Sequence, residues 1–249
     1  MCGRYAASRS PDDLVEEFEV ERVDLRQHLE PDYNVAPTKP VPAVLTRPPR
    51  GERDSPPVRQ LMALQWGLVP SCAKDRSIGS RLINARSETV ADKPAFKKAF
   101  ARRRCLLPAD GYYEWYTTER TTAKGKPIKQ PFFIRPRGSG SLAMAGLYEV
   151  WRDSSLDEDD PGALLWTCTV LTTRAEDELG HIHDRMPLLV QPDCWADWLD
   201  PSPHESAELL DALVPAAPGR LEAYPVSTEV NNVRNNGPQL VAALPAETS

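Results

Sequence analysis

The chain contains no apolar run near the ~18 residues that a membrane-spanning helix requires. Its opening also lacks the basic, apolar and small-residue succession of a signal peptide. No membrane partner is expected, and the expected location is cytoplasmic, on the nucleoid when DNA is bound. Cysteine is sparse and scattered: Cys2, Cys72, Cys105, Cys168 and Cys194, with no C-x-x-C among them. An odd, widely spaced set excludes a disulfide framework and a zinc knuckle and fits a reduced compartment. Histidine is rarer, with four residues, two of them at alternating positions, His181 and His183. A metal pair on one strand face would need further ligands at suitable spacing, and none accompanies them. No metal and no cofactor is expected. No internal repeat occurs.

What is present fits a packed globular chain: 249 residues, 41% hydrophobic and 27% charged. A single domain over residues 1–249 is expected, with its motifs between about 2 and 240. Ser10-Pro11-Asp12-Asp13 before Leu14, Val15 and Phe18 predicts a capped helix with Pro11 at its first position. Strands are predicted at 60–68, 105–108, 112–116, 131–134, 142–150, 164–172 and 187–191. Short helices are predicted at 94–100, 195–199 and 205–213. Residues 47–59 and 153–162 read as exposed loops between strands. Many short strands with few helices indicate an α+β fold with a mostly antiparallel core.

The net charge of −6 argues against a polyanionic partner, but its distribution does not. From Cys72 to Pro136 there are 15 Lys/Arg against 6 Asp/Glu, a local balance of +9. That leaves room for a basic face on an acidic protein. A solvated helix face around Lys97, Lys98 and Arg102–Arg104 would account for part of it equally well.

Cys2 raises a sharper question. Removal of Met1 would leave an α-amine and a thiol on adjacent carbons, a 1,2-aminothiol that condenses with aldehydes to a thiazolidine. Such an amine titrates at about 7.7–8.0 and a thiol at about 8.5, so both are nucleophilic near neutral pH. Taken alone, the plainer reading is an incidental residue on a frayed terminus.

His183-Asp184-Arg185-Met186-Pro187 offers a general acid–base histidine with a cation beside it, or a hydrogen-bonded structural histidine. Gly111-Tyr112-Tyr113-Glu114-Trp115 sets one carboxylate among aromatics. Burial there would raise the Glu114 pKa and make it a proton carrier, whereas a solvent-facing position on the strand would not. Asn84 and Arg86 stand two apart, able to share one face of a strand. An amide there can hold a reacting amine, and a guanidinium binds phosphate. Trp66 and Trp115 could stack on unpaired bases, though tryptophans are commoner in cores. Asn34, Pro37 and the run Asn231–Asn236 read as ordered loops.

Ordered blocks tie these residues together: Met1-Cys2-Gly3-Arg4-Tyr5, Tyr33-Asn34-Val35-Ala36-Pro37, Trp66-Gly67-Leu68-Val69-Pro70 and Asn84-Ala85-Arg86-Ser87-Glu88. Arg104-Cys105-Leu106-Leu107-Pro108, Gly111–Trp115, Ala145-Gly146-Leu147-Tyr148, His183–Pro187, Val226-Ser227 and Val230-Asn231 follow. In this order, and over nearly the whole chain, they resemble the SOS response-associated peptidase (SRAP) family. Each block alone is weak; the set is specific.

The resemblance implies a barrel-like β core flanked by short helices. It implies a sensor and shield of abasic sites in single-stranded DNA, working as a monomer. The terminal Cys2 would crosslink covalently to the ring-opened sugar through a thiazolidine. Asn84 would orient the Cys2 amine, Glu114 would transfer protons and His183 would act at the sugar ring oxygen. Arg4, Arg86 and Arg185 would bind phosphates, and Trp66, Trp115 and Met186 would pack against bases or sugar. Asn34, Pro37 and Thr172 would be lesser contacts. The family name also implies self-processing, here limited to Met1, and the family's similarity to enzymes that nick at abasic sites through the imine implies a weak lyase activity.

Asp184 departs from the pattern by placing a carboxylate beside His183, where it would raise the histidine pKa or point away. The acidic loop 153–162 is expected far from any DNA groove. Two other functions use the same residues: a cysteine peptidase with Cys2 as nucleophile and His183 as base, or a non-covalent single-strand binder in which Cys2 is incidental.

Overall fold

Alternation of apolar and polar residues at period two organises most of the chain into strands. The computed structural model describes residues 2–52, 54–157, 159–175, 179–202, 209 and 219–245. In chain order the strands are β1 (Tyr5–Ala7), β2 (Arg22–Asp24), β3 (Asp32–Val35), β4 (Pro40–Arg47), β5 (Val58–Trp66), β6 (Asn84–Arg86) and β7 (Arg104–Ala109). They continue as β8 (Gly111–Thr121), β9 (Pro127–Pro136), β10 (Leu142–Arg152), β11 (Leu164–Arg174), β12 (Arg185–Pro187) and β13 (Leu221–Pro225). Among the described residues they are accompanied by the short helices α1 (Pro11–Glu17), α2 (Lys97–Arg102) and α3 (Trp195–Leu199).

Five strands close on themselves. β11 pairs with β10, β10 with β7, β7 with β4 and β4 with β5, all antiparallel. A short parallel contact, Thr167↔Gln65 and Cys168↔Trp66, returns β5 to β11. The result is an α+β fold built on a five-stranded barrel, as the sequence leads one to expect. A second sheet runs β13-β9-β8-β1-β3. Trp66, Leu64, Leu107, Met144, Cys168 and Val170 of the barrel share one core with Tyr5, Tyr112 and Ile134 of the second sheet. The burial of these side chains is the main source of stability.

Local signals set the ends. Ser10 Oγ accepts from the Asp13 N–H at 3.1 Å while Asp13 Oδ2 accepts from the Ser10 N–H at 3.2 Å, a capping box that starts α1 where expected. α3 also falls at the predicted residues. The described residues among 48–57 and 153–163 lie in the loops that join β4 to β5 and β10 to β11. The strand expected at 187–191 is displaced: β12 covers Arg185–Pro187, and Leu188–Val190 turn into the cores. The helix expected at 205–213 lies outside the described residues, Leu209 excepted. No described helix is long and apolar enough to cross a membrane.

Arg104 corrects the reading of Arg102–Arg104 as a solvated face. It is 2% exposed. Its Nε donates to the Trp198 carbonyl at 2.8 Å, Nη1 to Phe100 and Ala101 at 2.9 and 2.8 Å, and Nη2 to Asp200. One guanidinium therefore caps the C-terminal carbonyls of α2 and α3 together. Burial lowers its pKa to about 10.

Candidate functional site

The N-terminal segment is drawn into the protein by β1, which pairs with β3 on one side and β8 on the other. The Tyr113 N–H donates to the Arg4 carbonyl at 2.9 Å, extending the pairing toward the terminus. Cys2 thus becomes fully buried beside Tyr5, Trp66 and Tyr112 rather than fraying. Asn84 Nδ2 donates to the Cys2 carbonyl at 2.8 Å. Asn84 is placed by β6, which runs parallel to β11. Gly67 and Gly79 set the approach to β6. A Cβ on Gly67 (φ +125°) would meet the Gly79 carbonyl oxygen at 2.6 Å, and the converse contact is as close. In β6 only Ala85 faces the core, so Asn84 and Arg86 share the other face as expected. Asn84 Oδ1 is buried and accepts no hydrogen bond among the described residues.

Glu114 occupies the next position of the site. On β8 it is 3% exposed, so the solvent-facing alternative falls. Burial, reinforced by the negative charge of Asp184, pushes its pKa up to about 7. The Cys2 thiol is raised well above its ordinary value, by burial first and by Glu114 second. At neutral pH the thiol keeps its proton, beside a carboxyl poised to exchange one.

His183 Nε2 lies 4.0 Å from Glu114 Oε2. Its Nδ1 accepts the Arg185 N–H at 3.0 Å and stands 3.0 Å from Asp184 Oδ1. Asp184 therefore faces the ring, and its charge acts to raise the histidine pKa. Burial outweighs it, helped by positive charge nearby, and the net shift is downward. Lys129 on β9 is exposed and acts electrostatically on both Glu114 and His183. Cys2, Asn84, Glu114 and His183, distant in sequence, converge. Among the described residues no group of three or more His, Cys, Asp or Glu is arranged to hold a metal.

The expected DNA-contacting residues divide. Arg86 is exposed and Trp115 and Pro37 are half-buried. Trp115 Nε1 donates to Asn231 Oδ1 at 2.7 Å, and the Arg4 guanidinium lies 5.8 Å from its ring. Arg4 itself donates to Asn34 Oδ1 at 2.7 Å and to the Val230 carbonyl at 2.8 Å. Asn34 is fully buried and gives its Nδ2 to the carbonyls of Val230, Asn232 and Asn235. Its side-chain amide is spent on holding the 230–235 turn.

Trp66 offers no face to a base. It is 0% exposed, its Nε1 donates to the Ile83 carbonyl at 2.8 Å, and Tyr5 packs edge-on at 5.1 Å. Met186 and Thr172 are buried as well. Arg185 is engaged: Nη1 and Nη2 meet Glu88 Oε1 and Oε2 at 2.5 and 3.0 Å, and Nη2 also reaches the Thr172 carbonyl at 2.5 Å. Glu88, Lys129 and Tyr112 enter the site without having been assigned a role from sequence. Glu88 and Tyr112 carried a signal, their places in the ordered blocks Asn84–Glu88 and Gly111–Trp115; Lys129 carried none.

Residues 1–233 match the family model described as SOS response associated peptidase (SRAP). The chain belongs to the SRAP family. It is 36% identical over 243 residues to the abasic site processing protein YoaM of Bacillus subtilis, covering 98% of both chains. With the abasic site processing protein HMCES of Xenopus tropicalis it shares 29% identity over 277 residues, 98% of this chain and 78% of that one. A crystal structure of a protein from Bacteroides thetaiotaomicron superposes with a TM-score of 0.79 at 22% identity, over 98% of this chain and 100% of the other. That likeness concerns the fold: the SRAP barrel and its second sheet.

Proposed function

We propose that this SRAP chain senses abasic sites in single-stranded DNA and captures them covalently through Cys2 once Met1 is removed. The observation that carries the reading is the placement of Cys2: enclosed, held at its carbonyl by Asn84, and facing a carboxyl whose pKa is about 7. The names of the relatives at family level agree with it.

The chemistry follows from these groups. The Cys2 amine adds to the aldehyde carbon of the ring-opened sugar and gives a carbinolamine. Loss of water leaves an imine. The thiol then adds to the imine carbon; its proton passes to the ring nitrogen, and the C–S bond closes the thiazolidine. Each step moves one proton, which a carboxyl titrating near 7 can carry in either direction. His183 Nε2, on the Glu114 side, can donate to the sugar oxygen as the ring opens. Asn84 Oδ1, an unused buried acceptor, suits the amine that Met1 removal exposes.

An imine keeps an acidic proton on the neighbouring carbon and permits β-elimination, which would give the weak lyase activity. The closed ring removes the C=N bond and shields the strand. Arg86, Lys129 and half-buried Trp115 provide charge and an aromatic surface for an unpaired strand.

The test is a denaturing gel with an oligonucleotide carrying one abasic site. A lesion-dependent band that survives denaturation, and that Cys2→Ala abolishes, is the expected result. Absence of the band, with Met1 shown by intact mass to be gone, overturns the reading.

A further inference from the structure

The ring of His183 is contested by two neighbours. The Arg185 backbone N–H points at Nδ1 from 3.0 Å, and so does Asp184 Oδ1. A peptide N–H is always a donor, so Nδ1 must be unprotonated to accept it, leaving the proton on Nε2 toward Glu114. A carboxylate asks the opposite, a proton on Nδ1. Nδ1 cannot serve both. The ring therefore has two states: one with Nε2–H on the Glu114 side and Nδ1 bound to the Arg185 amide, the other with Nδ1–H given to Asp184.

What decides between them is how firmly residue 185 is held. The Asp184 side chain is 87% exposed, and its main-chain carbonyl accepts from the Ala175 N–H at 2.9 Å. Arg185 opens a three-residue strand, paired through Arg174↔Arg185, Thr173↔Met186 and Thr172↔Pro187. Backbone pairing at the first residue of so short a strand is weak. The side chain supplies the rest. Glu88 meets the guanidinium with both oxygens, at 2.5 and 3.0 Å, and Thr172 accepts from Nη2 with its carbonyl at 2.5 Å and its hydroxyl at 3.1 Å. A two-point carboxylate–guanidinium pair fixes orientation as well as distance. The pair joins a residue just past β6 to one 97 positions later.

We propose that Glu88 is a positioning residue for His183: by clamping Arg185 against Thr172, it holds the Arg185 amide on Nδ1 and keeps the Nε2 proton directed at Glu114. This rests on the reading of His183 as a proton donor in abasic-site capture. It also gives Arg185 a role other than the phosphate contact expected of it. The charged groups that act on the ring are Glu114 from β8, Lys129 from β9 and Asp184 from its own segment, together with the positive charge of the terminal amine. Glu88 touches none of the reacting atoms and acts only through Arg185.

The experiment observes the ring nitrogens of His183 by NMR in histidine-labelled protein without DNA, in wild type, Glu88→Gln and Glu88→Ala. Wild type should show the Nε2–H tautomer near neutral pH. Glu88→Ala should move the signals toward a mixture and raise the His183 titration midpoint by about one unit as Asp184 gains the ring. Glu88→Gln retains one acceptor and should fall between. Amide spectra that superpose outside residues 84–92 and 172–188 establish that each variant is folded. Identical tautomer and midpoint in all three proteins overturn the proposal, whatever happens to crosslinking. Crosslinking rates against pH are then measured on the same proteins, where the profile should shift with the NMR midpoint. If wild type forms no crosslink, abasic-site capture fails while the NMR result still decides the role of Glu88.

Discussion

Asn84 donates to the main-chain carbonyl of Cys2 over 2.8 Å while its own side-chain oxygen stays buried and unused. The expectation was an amide that orients the amine. The geometry puts the anchor one atom group away, on the carbonyl, and leaves the oxygen available for the amine. Removal of Met1 would turn the Cys2 peptide nitrogen into an amine, whose N–H that buried oxygen is suited to accept. The burial of Cys2 and the poise of Glu114 then belong to one arrangement, in which the thiol stays protonated until a neighbour takes the proton.

Asn84→Ala should therefore slow capture far more than it weakens DNA binding. Losing one buried, well-directed hydrogen bond that positions a nucleophile corresponds to roughly 10–100-fold in rate. Single-turnover crosslinking at saturating abasic oligonucleotide measures it. A rate within twofold of wild type would remove Asn84 from the mechanism.

Glu114 makes the stability of the protein depend on pH in a direction opposite to most carboxylates. Its pKa rises from 4.5 to about 7 on folding. The folded chain thus binds more protons between those values, and the associated stability is present at low pH and lost as pH rises through about 7. The shift corresponds to at most about 3 kcal/mol. Glu114→Gln should flatten the difference in urea midpoint between pH 5 and pH 8 relative to wild type, and should slow crosslinking. An unchanged pH difference would mean that the carboxyl is not buried as described.

Arg104 offers a test of the fold alone. It ties the ends of α2 and α3 through four carbonyls. Lys cannot reproduce that fork, so Arg104→Lys should lose about 2–4 kcal/mol, read as a lower denaturant midpoint at unchanged slope. Trp198 fluorescence should follow the transition, because the guanidinium lies 5.8 Å from its ring.

What the sequence disclosed and what it withheld separate along physical lines. Local rules sufficed for the Ser10–Asp13 box, for α3 and for the loop after β10. The acidic residues of that loop adjoin the Leu164 end of β11, roughly 26 Å of strand from Thr172. Period-two alternation placed Asn84 and Arg86 on one face. Which cations are spent inside the protein was not legible, because their partners arrive from afar: Arg104 from α3, Arg103 from Glu149 and Arg185 from Glu88. The +9 of the Cys72–Pro136 segment thus overstates its outward charge. The fate of Trp66 was hidden for the same reason. Its indole faces the barrel interior only because β5 returns to β11, a closure that no local pattern announces.

Arg86 and Arg103 turn that lesson into a measurement. Both lie in the basic segment, yet Arg86 is exposed beside the site and Arg103 is joined to Glu149 at 2.6 Å. A guanidinium free in solvent can release a counterion when it meets a phosphate; one already neutralised by a buried carboxylate contributes little. For single strands each phosphate contact adds about 0.7 to the slope of log affinity against log salt. Arg86→Ala should reduce that slope by about this amount for undamaged single-stranded DNA, lowering affinity uniformly across sequences. Arg103→Ala should leave the slope unchanged while lowering stability, since it strands Glu149. Fluorescence anisotropy at several salt concentrations separates the two. Equal slopes for wild type and Arg86→Ala would place the strand elsewhere on the protein.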